Sequence, residues 1–337
     1  MKKAINIFVI LMVVISFGLL SSCKPAVTTA TEETTAVTEE TKPAEETTAA
    51  EEKGKVIGYS ANFAFFNDAT TDWVNGITDT ASKRGVSVIV LDAKGDVAKQ
   101  LADVEDIITR GVDGLIIWPN DSKAIVPAVE AANKANIPVA VLDRGSDGGE
   151  YITLVAGDDV AASKKAAEFI ADNVKGSGYV LELTGAPGSQ VVTNRSKGFA
   201  EGITKNPNLK LITQPTDWTI ESGMKVTENV LQAHPDDLLA IWAHSDEMAI
   251  GGLQAIKGAG KAEKIMVVGY GAFTPMVELI KKGEVVAAVG FPSWTMGVTI
   301  ANALLDYMEG KKIDNPILVD EPIITKDNID TWKRGRE

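Results

Sequence analysis

Several side chains suited to binding a small polar molecule follow short apolar runs of this 337-residue chain. Phe65 and Phe66 come soon after the first run, and Asp143 and Arg144 directly follow a later one. Aromatic side chains offer flat apolar faces, whereas an adjacent acid and base accept and donate charge-assisted hydrogen bonds. Three phenylalanines within residues 63–66 also do not fit a solvated loop. The pattern favours a cleft for a small molecule.

Further hydroxyl, charged and aromatic side chains stand near the ends of other apolar runs. The predicted ligand-binding set is Ser60, Phe65, Phe66, Asp143, Arg144, Arg195, Trp218, Ser245, Asp246 and Phe291. In open parallel sheets, ligands bind beyond the carboxyl ends of the strands. We therefore expect these positions to share one site, and we predict no catalytic residue, cofactor or metal.

The elements that must position these residues alternate between strands and amphipathic helices. The predicted strands are Val56–Tyr59, Val88–Leu91, Leu115–Trp118, Val139–Leu142, Ile152–Ala156, Tyr179–Leu183, Leu209–Thr213, Leu239–Ala243, Ile265–Val268 and Val285–Val289. Helices are predicted between most of them, among them Thr71–Arg84, Val97–Arg110 and Lys123–Ala135. Nearly continuous apolar strands alternating with helices indicate an α/β fold with parallel sheets covered on both faces. The length of the chain after residue 54 favours two lobes.

Composition excludes several classes of site. The net charge of −13 argues against nucleic-acid binding, which needs a basic patch. Cys23 is the one cysteine, so the body has neither a disulfide framework nor a thiolate site. His234 and His244 are too few for a histidine-rich metal site.

The first residues of the chain have the features of an export signal. Lys2 and Lys3 precede an apolar run that ends in Leu20-Ser21-Ser22-Cys23. We predict a lipoprotein signal peptide over residues 1–22, with lipid attached to Cys23 after cleavage. A plain transmembrane anchor is the alternative, but the run is short and lacks a positive flank on its far side. The chain is therefore expected to be exported and anchored to the outer face of the cell membrane or in the periplasm.

Residues 23–54 are predicted to be a disordered tether. After Cys23 the segment consists of Thr, Glu, Ala, Val, Pro and Lys with a final Gly, in near-repeats and without aromatic residues. Such a composition buries too little apolar surface to offset the entropy of ordering. A helix is the alternative, because Ala and Glu favour one, but repeated Thr pairs and the absence of an apolar stripe argue against it.

A group of short segments carries a resemblance to a known family. They are Tyr59-Ser60 with Phe65-Phe66, then 97–104, 135–139, 142–144, 195–199, 233–236 and 245–249. From Lys55 to about Val319 the chain resembles type I periplasmic substrate-binding proteins of sugar ABC transporters, close to the ribose-binding branch. The resemblance implies a monomer with two Rossmann-like lobes that close around a ligand, which a membrane ABC permease then receives.

The resemblance also implies where the lobes begin and end. It places three crossovers between them, near Gly157, Gly290–Phe291 and Leu318. The N-terminal lobe would comprise residues 55–157 plus 291–318. The C-terminal lobe would comprise residues 158–290 plus 319–337.

Ligand roles transfer from the family position by position. Phe65 and Phe66 match a pair that sandwiches a sugar ring, and Trp218 matches an aromatic residue of the facing lobe. Asp143, Arg144 and Arg195 match residues that hydrogen-bond hydroxyl groups, and we expect Asp246 to lie close enough to contact a ligand. A sugar suits such a set, because its C–H faces stack on aromatic rings while its hydroxyls pair with planar, charged groups.

Four departures from the ribose-binding pattern bear on the ligand. Gly271 stands where those proteins carry an aspartate, Phe291 where they carry a glutamine, and Ser245 where they carry an asparagine. Phe63 stands where they carry another asparagine, in an alignment that depends on a one-residue gap. Because each change removes a group that reads hydroxyls, we expect a ligand other than ribose. Candidates are a deoxy sugar, a polyol, a modified sugar or a flat heterocycle.

Other interpretations of the same residues stay open at this point. Phe65 and Phe66 could belong to the core, Asp143 and Arg144 could form a structural ion pair, and Arg195 could be solvated. Trp242 is predicted to be core, and Asp246 with Glu247 is predicted to cap the following helix.

The chain as a whole also has alternative functions. His244-Ser245-Asp246 contains the residue types of a catalytic triad, but consecutive residues do not make one, so we predict no enzyme. A DNA-binding regulator of the same fold would lack the export signal. A sensor accessory for a chemoreceptor or kinase, or a binder of a nucleoside or another aromatic solute, is the main alternative to sugar uptake.

Overall fold

The computed structural model describes residues 54–335, which belong to one compact unit spanning Glu52–Glu337. The signal peptide, Cys23 and nearly all of the tether predicted above lie outside the described residues. Between residues 54 and 335, no helix is both long enough and apolar enough to cross a membrane.

The first sheet is entirely parallel. Its strands are, in spatial order, β11 (Ile317–Val319), β5 (Thr153–Gly157), β4 (Val139–Leu142), β3 (Gly114–Trp118), β1 (Val56–Ala61) and β2 (Ser87–Asp92). Because all strands run in one direction, their carboxyl ends form a single edge, where the first group of predicted site residues lies.

The second sheet repeats this arrangement, with one antiparallel edge strand. Its strands are, in spatial order, β12 (Ile323–Thr325), β10 (Ala287–Gly290), β9 (Met266–Gly271), β8 (Leu238–Ala243), β6 (Gly178–Thr184) and β7 (Leu209–Pro215).

Helices connect the strands in the described part of the chain. They are α1 (Asp68–Lys83), α2 (Val97–Thr109), α3 (Val126–Lys134), α4 (Asp159–Asn173), α5 (Gln190–Ile203), α6 (Ile220–Ala233), α7 (Asp246–Gly258), α8 (Thr274–Lys282) and α9 (Ser293–Met308), followed by a 3₁₀ turn at Ile329–Thr331. The α/β fold with two parallel-dominated sheets is thereby confirmed.

Each sheet is buried on both faces, as the continuous apolar strands predict. In β3, Ile116 belongs to an apolar cluster that includes Trp73 of α1 and Leu304 of α9. Its neighbours Leu115 and Ile117 face the opposite cluster, which is built on α2 and α3. A parallel strand covered on both faces has little room for polar residues, so the polar groups collect beyond its end.

The chain passes between the two sheets three times. It leaves the first sheet between Gly157 and Asp159, returns between Gly290 and Ser293, and leaves again between Val319 and Ile323. After the second passage, α9 packs against α1, beside the first sheet.

Some predicted boundaries are wrong, for local reasons. The helix predicted from Lys123 begins at Val126, because the Asp121 carboxylate accepts hydrogen bonds from the amides of Lys123 and Ala124 and holds a turn there. The last predicted strand begins at Ala287 instead of Val285. Strands β11 and β12 were not predicted, because three residues are too few to show a periodicity.

Candidate functional site

Buried polar atoms without hydrogen-bond partners mark the edge of the first sheet. They are Ser60 Oγ at the end of β1, Asn62 Oδ1 just beyond it, and Asn120 Nδ2 beyond β3. These strands are neighbours in the sheet, with β4 on the other side of β3. Because buried polar groups are normally paired, such a cluster is suited to a ligand that supplies several donors and acceptors.

Asp143 and Arg144 extend this edge beyond β4. Asp143 has a φ of 62°, a left-handed conformation that is uncommon for residues with a side chain. Burial raises the pKa of the Asp143 carboxyl, and the negative charge of Asp159 adds to this, whereas Arg144 and Arg195 oppose it. Arg144 Nη1 donates to the carbonyl of Asn120. Arg144 thus binds a backbone carbonyl, and no ion pair joins it to Asp143 among the described residues.

Arg195 is the central cation on the side of the second sheet. Its Nε donates to Asp159 Oδ1 at 2.7 Å, and its Nη1 donates to the carbonyl of His244. The guanidinium carbon lies 3.5 Å from the centre of the Tyr270 ring. Since the side chain is only 12% exposed, the interpretation of Arg195 as a solvated residue is wrong.

Trp218 follows β7 and is held by its backbone and by a glycine. Its φ is 70°, and its amide donates to Thr216 Oγ1 at 3.2 Å. The indole lies directly on Gly185, where an added Cβ would come within 1.9 Å of the ring. Two of the ten predicted site residues, Asp143 and Trp218, thus have left-handed backbones, which are costly and cluster at functional sites.

Ser245 and Asp246 follow β8 and lie at the start of α7. The Ser245 hydroxyl caps α7 by accepting from the amide of Met248 at 3.4 Å. Asp246 lies in the first turn of α7 and accepts instead from the amide of Phe273 at 2.9 Å, so its carboxylate ties α7 to the β9–α8 loop. Burial raises the pKa of Asp246 to about 7. Its Oδ1 atom is buried without a partner.

Aromatic rings surround Phe291 at the second crossover. Its ring lies edge-on to Trp73 at 5.9 Å and to Phe273 at 6.3 Å. Trp73 also contacts Trp118 at 4.7 Å, which makes Trp118 part of this aromatic group. Trp242, in contrast, stacks on Phe199 inside the second lobe of sheet and helices, which confirms it as a core residue.

Phe65 and Phe66 are presented by the capped start of α1. Asn67 and Thr70 form a reciprocal capping box, and Thr70 Oγ1 also accepts from the Phe66 amide at 3.0 Å. The two rings are 64% and 72% exposed, so their interpretation as core residues is wrong. Phe66 contacts Phe63 at 5.0 Å, whereas no ring contact joins the pair to Trp218 in the described part of the chain.

The three residue types of a triad point to three different partners. His244 Nε2 lies 3.1 Å from Glu182 Oε1, while Ser245 and Asp246 bind backbone amides. Glu182 also accepts from the hydroxyls of Ser196 and Thr213. This buried hydrogen-bond network joins β6, β7 and α5 to His244, whose carbonyl accepts from Arg195.

Three residues that interact with Arg195 or its partners were missing from the predicted set. Asp159, Tyr270 and Glu321 are joined by hydrogen bonds of 2.9 to 3.0 Å through the Tyr270 hydroxyl. Tyr270 lies at a strand end and could have been included on that ground. Asp159 follows the first crossover and Glu321 lies within the third, and no local pattern distinguishes them from other acidic residues.

Comparison with known proteins agrees with this architecture. The family model for the periplasmic binding protein domain matches residues 55–312. The ribose import binding protein RbsB of Bacillus subtilis is 41% identical over 243 residues, which are 72% of this chain and 78% of that protein.

Solved structures show the same fold. A periplasmic ribose ABC transporter structure from Conexibacter woesei has a TM-score of 0.79 at 25% identity, covering 84% of this chain and 98% of that one. A solute-binding protein from Actinobacillus succinogenes with bound D-allose has a TM-score of 0.75 at 26% identity, covering 82% and 100%. The extent of the family match and the identity to RbsB show that this chain belongs to the periplasmic binding protein family.

Proposed function

We propose that the chain captures a sugar or sugar-like molecule outside the cytoplasm and delivers it to the permease of an ABC importer. One observation carries the proposal. At the second crossover, the ring of Phe291 lies 5.9 Å from Trp73 of α1, beside the first sheet, and 6.3 Å from Phe273, which follows β9 of the second sheet. A ligand bound beside this ring would contact both sheets at once.

The chemistry of the site supports a polyhydroxylated ligand. The unpaired polar atoms beyond β1 and β3, together with Asp143 and Arg144, offer both donors and acceptors within a small region. Exposed rings at Phe65 and Phe66 and the fixed indole of Trp218 offer apolar faces. The relatives described above bind ribose or D-allose according to their names.

We assign the ten predicted residues to this site in two groups. Those of the first sheet would bind the ligand first, and those of the second would complete the site when the lobes close. The lobes correspond to residues 55–157 plus 291–318 and 158–290 plus 319–337. A hydrogen bond of 2.7 Å from Thr274 Oγ1 of α8 to Asp68 Oδ2 of α1 joins them, and this contact would favour the closed form.

Export and anchoring complete the proposal. Residues 1–22 would direct secretion, Cys23 would carry the lipid, and residues 24–54 would separate the binding unit from the membrane surface. The protein would act as a monomer.

Thermal unfolding tests the proposal. The unit from Glu52 onward contains both sheets and their cores, so we expect it to fold by itself. It would be heated with pentoses, hexoses, deoxy sugars, polyols, nucleosides and flat amines. A ligand at about a hundred times its dissociation constant adds roughly 2.7 kcal/mol to the free energy of unfolding. Stabilisation by one class of sugar or polyol is expected, whereas stabilisation by nucleosides or amines alone would contradict a sugar site.

A further inference from the structure

A chain of four side chains links the third crossover to the proposed ligand site. Glu321 lies between β11 and β12 and is 1% exposed. Its Oε1 is 2.9 Å from the Tyr270 hydroxyl oxygen, which is itself 3.0 Å from Asp159 Oδ1. Asp159 in turn accepts the hydrogen bond from Arg195 Nε at 2.7 Å. These hydrogen bonds therefore connect Glu321 of the crossover, through the Tyr270 phenol and the Asp159 carboxylate, to the Arg195 guanidinium.

Hydrogen-bond geometry limits how many protons Asp159, Tyr270 and Glu321 can share. A phenol has one proton and can donate it to one carboxylate only. If Asp159 and Glu321 were both ionised, the Tyr270 oxygen would present a lone pair to one of them at hydrogen-bond distance. Since Tyr270 is buried, which raises its pKa, the phenol keeps its own proton. One of the two carboxylates must therefore be protonated for both contacts to be hydrogen bonds.

Glu321 is the better place for that proton. Asp159 accepts directly from the Arg195 guanidinium. Within residues 54–335, the carboxylate of Glu321 binds only the Tyr270 hydroxyl, and its Oε2 is buried without a partner. Burial raises the pKa of Glu321 to about 8, although Arg195 opposes the shift. The charged or titratable groups around it are Asp143, Asp159, Arg195 and Tyr270, with Lys165 bound to its carbonyl.

We propose that Glu321 and Tyr270 are positioning residues of the ligand site. The protonated Glu321 donates to the Tyr270 oxygen, Tyr270 donates to Asp159, and Asp159 then holds Arg195 by Nε. Among the described residues, the Nε hydrogen and one Nη1 hydrogen of Arg195 are bonded, which leaves the second Nη1 hydrogen and both Nη2 hydrogens for ligand oxygens. This inference rests on the proposed function, because it assigns Arg195 to ligand binding.

The position of Glu321 also connects the arrangement to the crossovers. A Cβ placed on Gly157, at the end of β5, would come within 2.6 Å of the Glu321 carboxyl group. The first and third crossovers thus touch at this carboxyl. A charge formed there would disturb both the orientation of Arg195 and the packing of the two segments about which the lobes move.

The position of the proton can be tested without a ligand. In the unit from Glu52 onward, labelled with ¹³C at the glutamate carboxyl carbons, the Glu321 signal is identified by its loss in Glu321→Gln. We expect it to titrate near pH 8, far above the ordinary value of 4.5. The Nε–H signal of Arg195 should be protected from solvent exchange at pH 6 and lose protection in Tyr270→Phe. Titration near 4.5, or unchanged protection in Tyr270→Phe, would overturn the proposal.

The consequence for binding is measured by calorimetry at pH 6 and pH 9. The probes are D-ribose, D-allose, xylitol and myo-inositol, which occur in the names of relatives and related structures. We expect the parent unit to bind its best sugar about tenfold more weakly at pH 9, because a hydrogen bond that positions a charged group is lost. At both pH 6 and pH 9, Glu321→Gln should bind the sugar with the affinity that the parent has at pH 6, since its amide still donates to Tyr270.

Two further variants separate positioning from general destabilisation. Tyr270→Phe keeps the ring beneath Arg195 and should bind about tenfold more weakly at both pH values. Asp320→Asn is the matched control, because Asp320 is exposed and adjacent to Glu321, and it should follow the parent. A Glu321→Gln variant with the pH dependence of the parent would contradict the inference. If none of the four sugars bound the parent, the proposed function would fail, and the NMR titration would still decide where the proton lies.

Discussion

At the scale of single residues, the site is built from groups that are costly in a folded chain. Asp143 and Trp218 have left-handed backbones, and Asp246 Oδ1 is buried without a partner. Each feature lowers stability, and a ligand that pairs the buried oxygen atom would recover part of the loss. Affinity and stability should therefore respond differently to substitutions here.

Trp218→Ala should weaken sugar binding about tenfold to a hundredfold, because the loss of a fixed aromatic face removes stacking and apolar contact. The free energy of unfolding should change little, since the indole lies on the backbone of Gly185 at the edge of the apolar cluster. Calorimetry with the best ligand of the panel measures the effect. Trp242→Ala is the contrasting control, since it removes a core ring and should reduce stability. Parent-like affinity in Trp218→Ala would show that the site lies elsewhere.

Arg195→Ala is a less clean test of ligand binding than Trp218→Ala, because Arg195 also stabilises the fold. The ion pair with Asp159 is mostly buried, so removing the guanidinium leaves a carboxylate without its partner. Breaking such a pair is strongly destabilising. A loss of binding in this variant would therefore mix two causes.

Asp246 should make stability dependent on pH. The pKa of Asp246 in the folded chain is raised to about 7 from the ordinary value of 3.8. Its contribution to the free energy of unfolding is therefore fully present below pH 3.8 and is lost as the pH rises to about 7. Asp246→Asn cannot titrate, so its free energy of unfolding should improve relative to the parent between pH 5 and pH 8. Denaturant unfolding at both values measures the difference, with the exposed Glu263→Gln as the control. A constant difference between parent and Asp246→Asn would contradict the raised pKa.

At the scale of elements, strand ends and crossovers decide what the site contains. The capping box of α1 fixes the loop with the exposed phenylalanines, and the β9–α8 loop is tied to α7 through Asp246. Phe291 lies on the second crossover, between an aromatic ring of α1 and one beyond β9. This residue therefore contacts both sides of the site.

Phe291→Gln should shift preference toward more hydroxylated sugars, because an amide that pairs hydroxyls replaces an apolar face. The ratio of affinities for D-ribose and 2-deoxy-D-ribose, which differ by one hydroxyl group, gives the change when measured by calorimetry. Phe291→Leu keeps an apolar side chain and serves as control for the loss of the ring. An identical ligand ranking in Phe291→Gln and the parent would exclude Phe291 as a determinant of specificity.

At the scale of the whole molecule, the proposed function depends on the balance between open and closed forms. A ligand shifts that balance only by binding one form better than the other. The hydrogen bond from Thr274 to Asp68 joins α8 to α1, and α1 belongs with the first sheet. It is a contact that opening of the lobes would break.

Thr274→Val should weaken ligand affinity about threefold to tenfold, because it removes this hydrogen bond while keeping the shape of the side chain. Small-angle scattering without ligand should show a larger radius of gyration in the variant. Thr274→Ser retains the hydroxyl and should behave like the parent. If Thr274→Val matched the parent in both affinity and scattering, the contact would not contribute to closure.

Cys23→Ser should release the protein from the membrane, because the residue proposed to carry lipid is replaced. Fractionation of cells that produce the whole chain measures this, and metabolic labelling with a fatty acid should mark the parent only. A variant that stays in the membrane fraction would favour an uncleaved transmembrane anchor.

Local patterns in the amino-acid sequence were enough to predict the α/β class, because alternating apolar strands and amphipathic helices have characteristic periods. They also indicated which strand ends carry the candidate residues, since parallel strands bring their carboxyl ends to one edge. Trp242 could be assigned to the core because it lies within an apolar strand. The export signal and tether are likewise predictions from local composition.

The pairing of those residues, in contrast, depends on long-range contacts in the folded molecule. Asp246 binds the Phe273 amide rather than capping its helix, and Arg195 binds Asp159 across 36 positions of sequence. The contact of Tyr270 with Glu321, 51 positions apart, has no local signal at all. Such pairings depend on which strand and helix ends meet after the chain has passed between the sheets three times. Burial then sets the protonation of the acids that meet there, and burial is a property of the folded molecule.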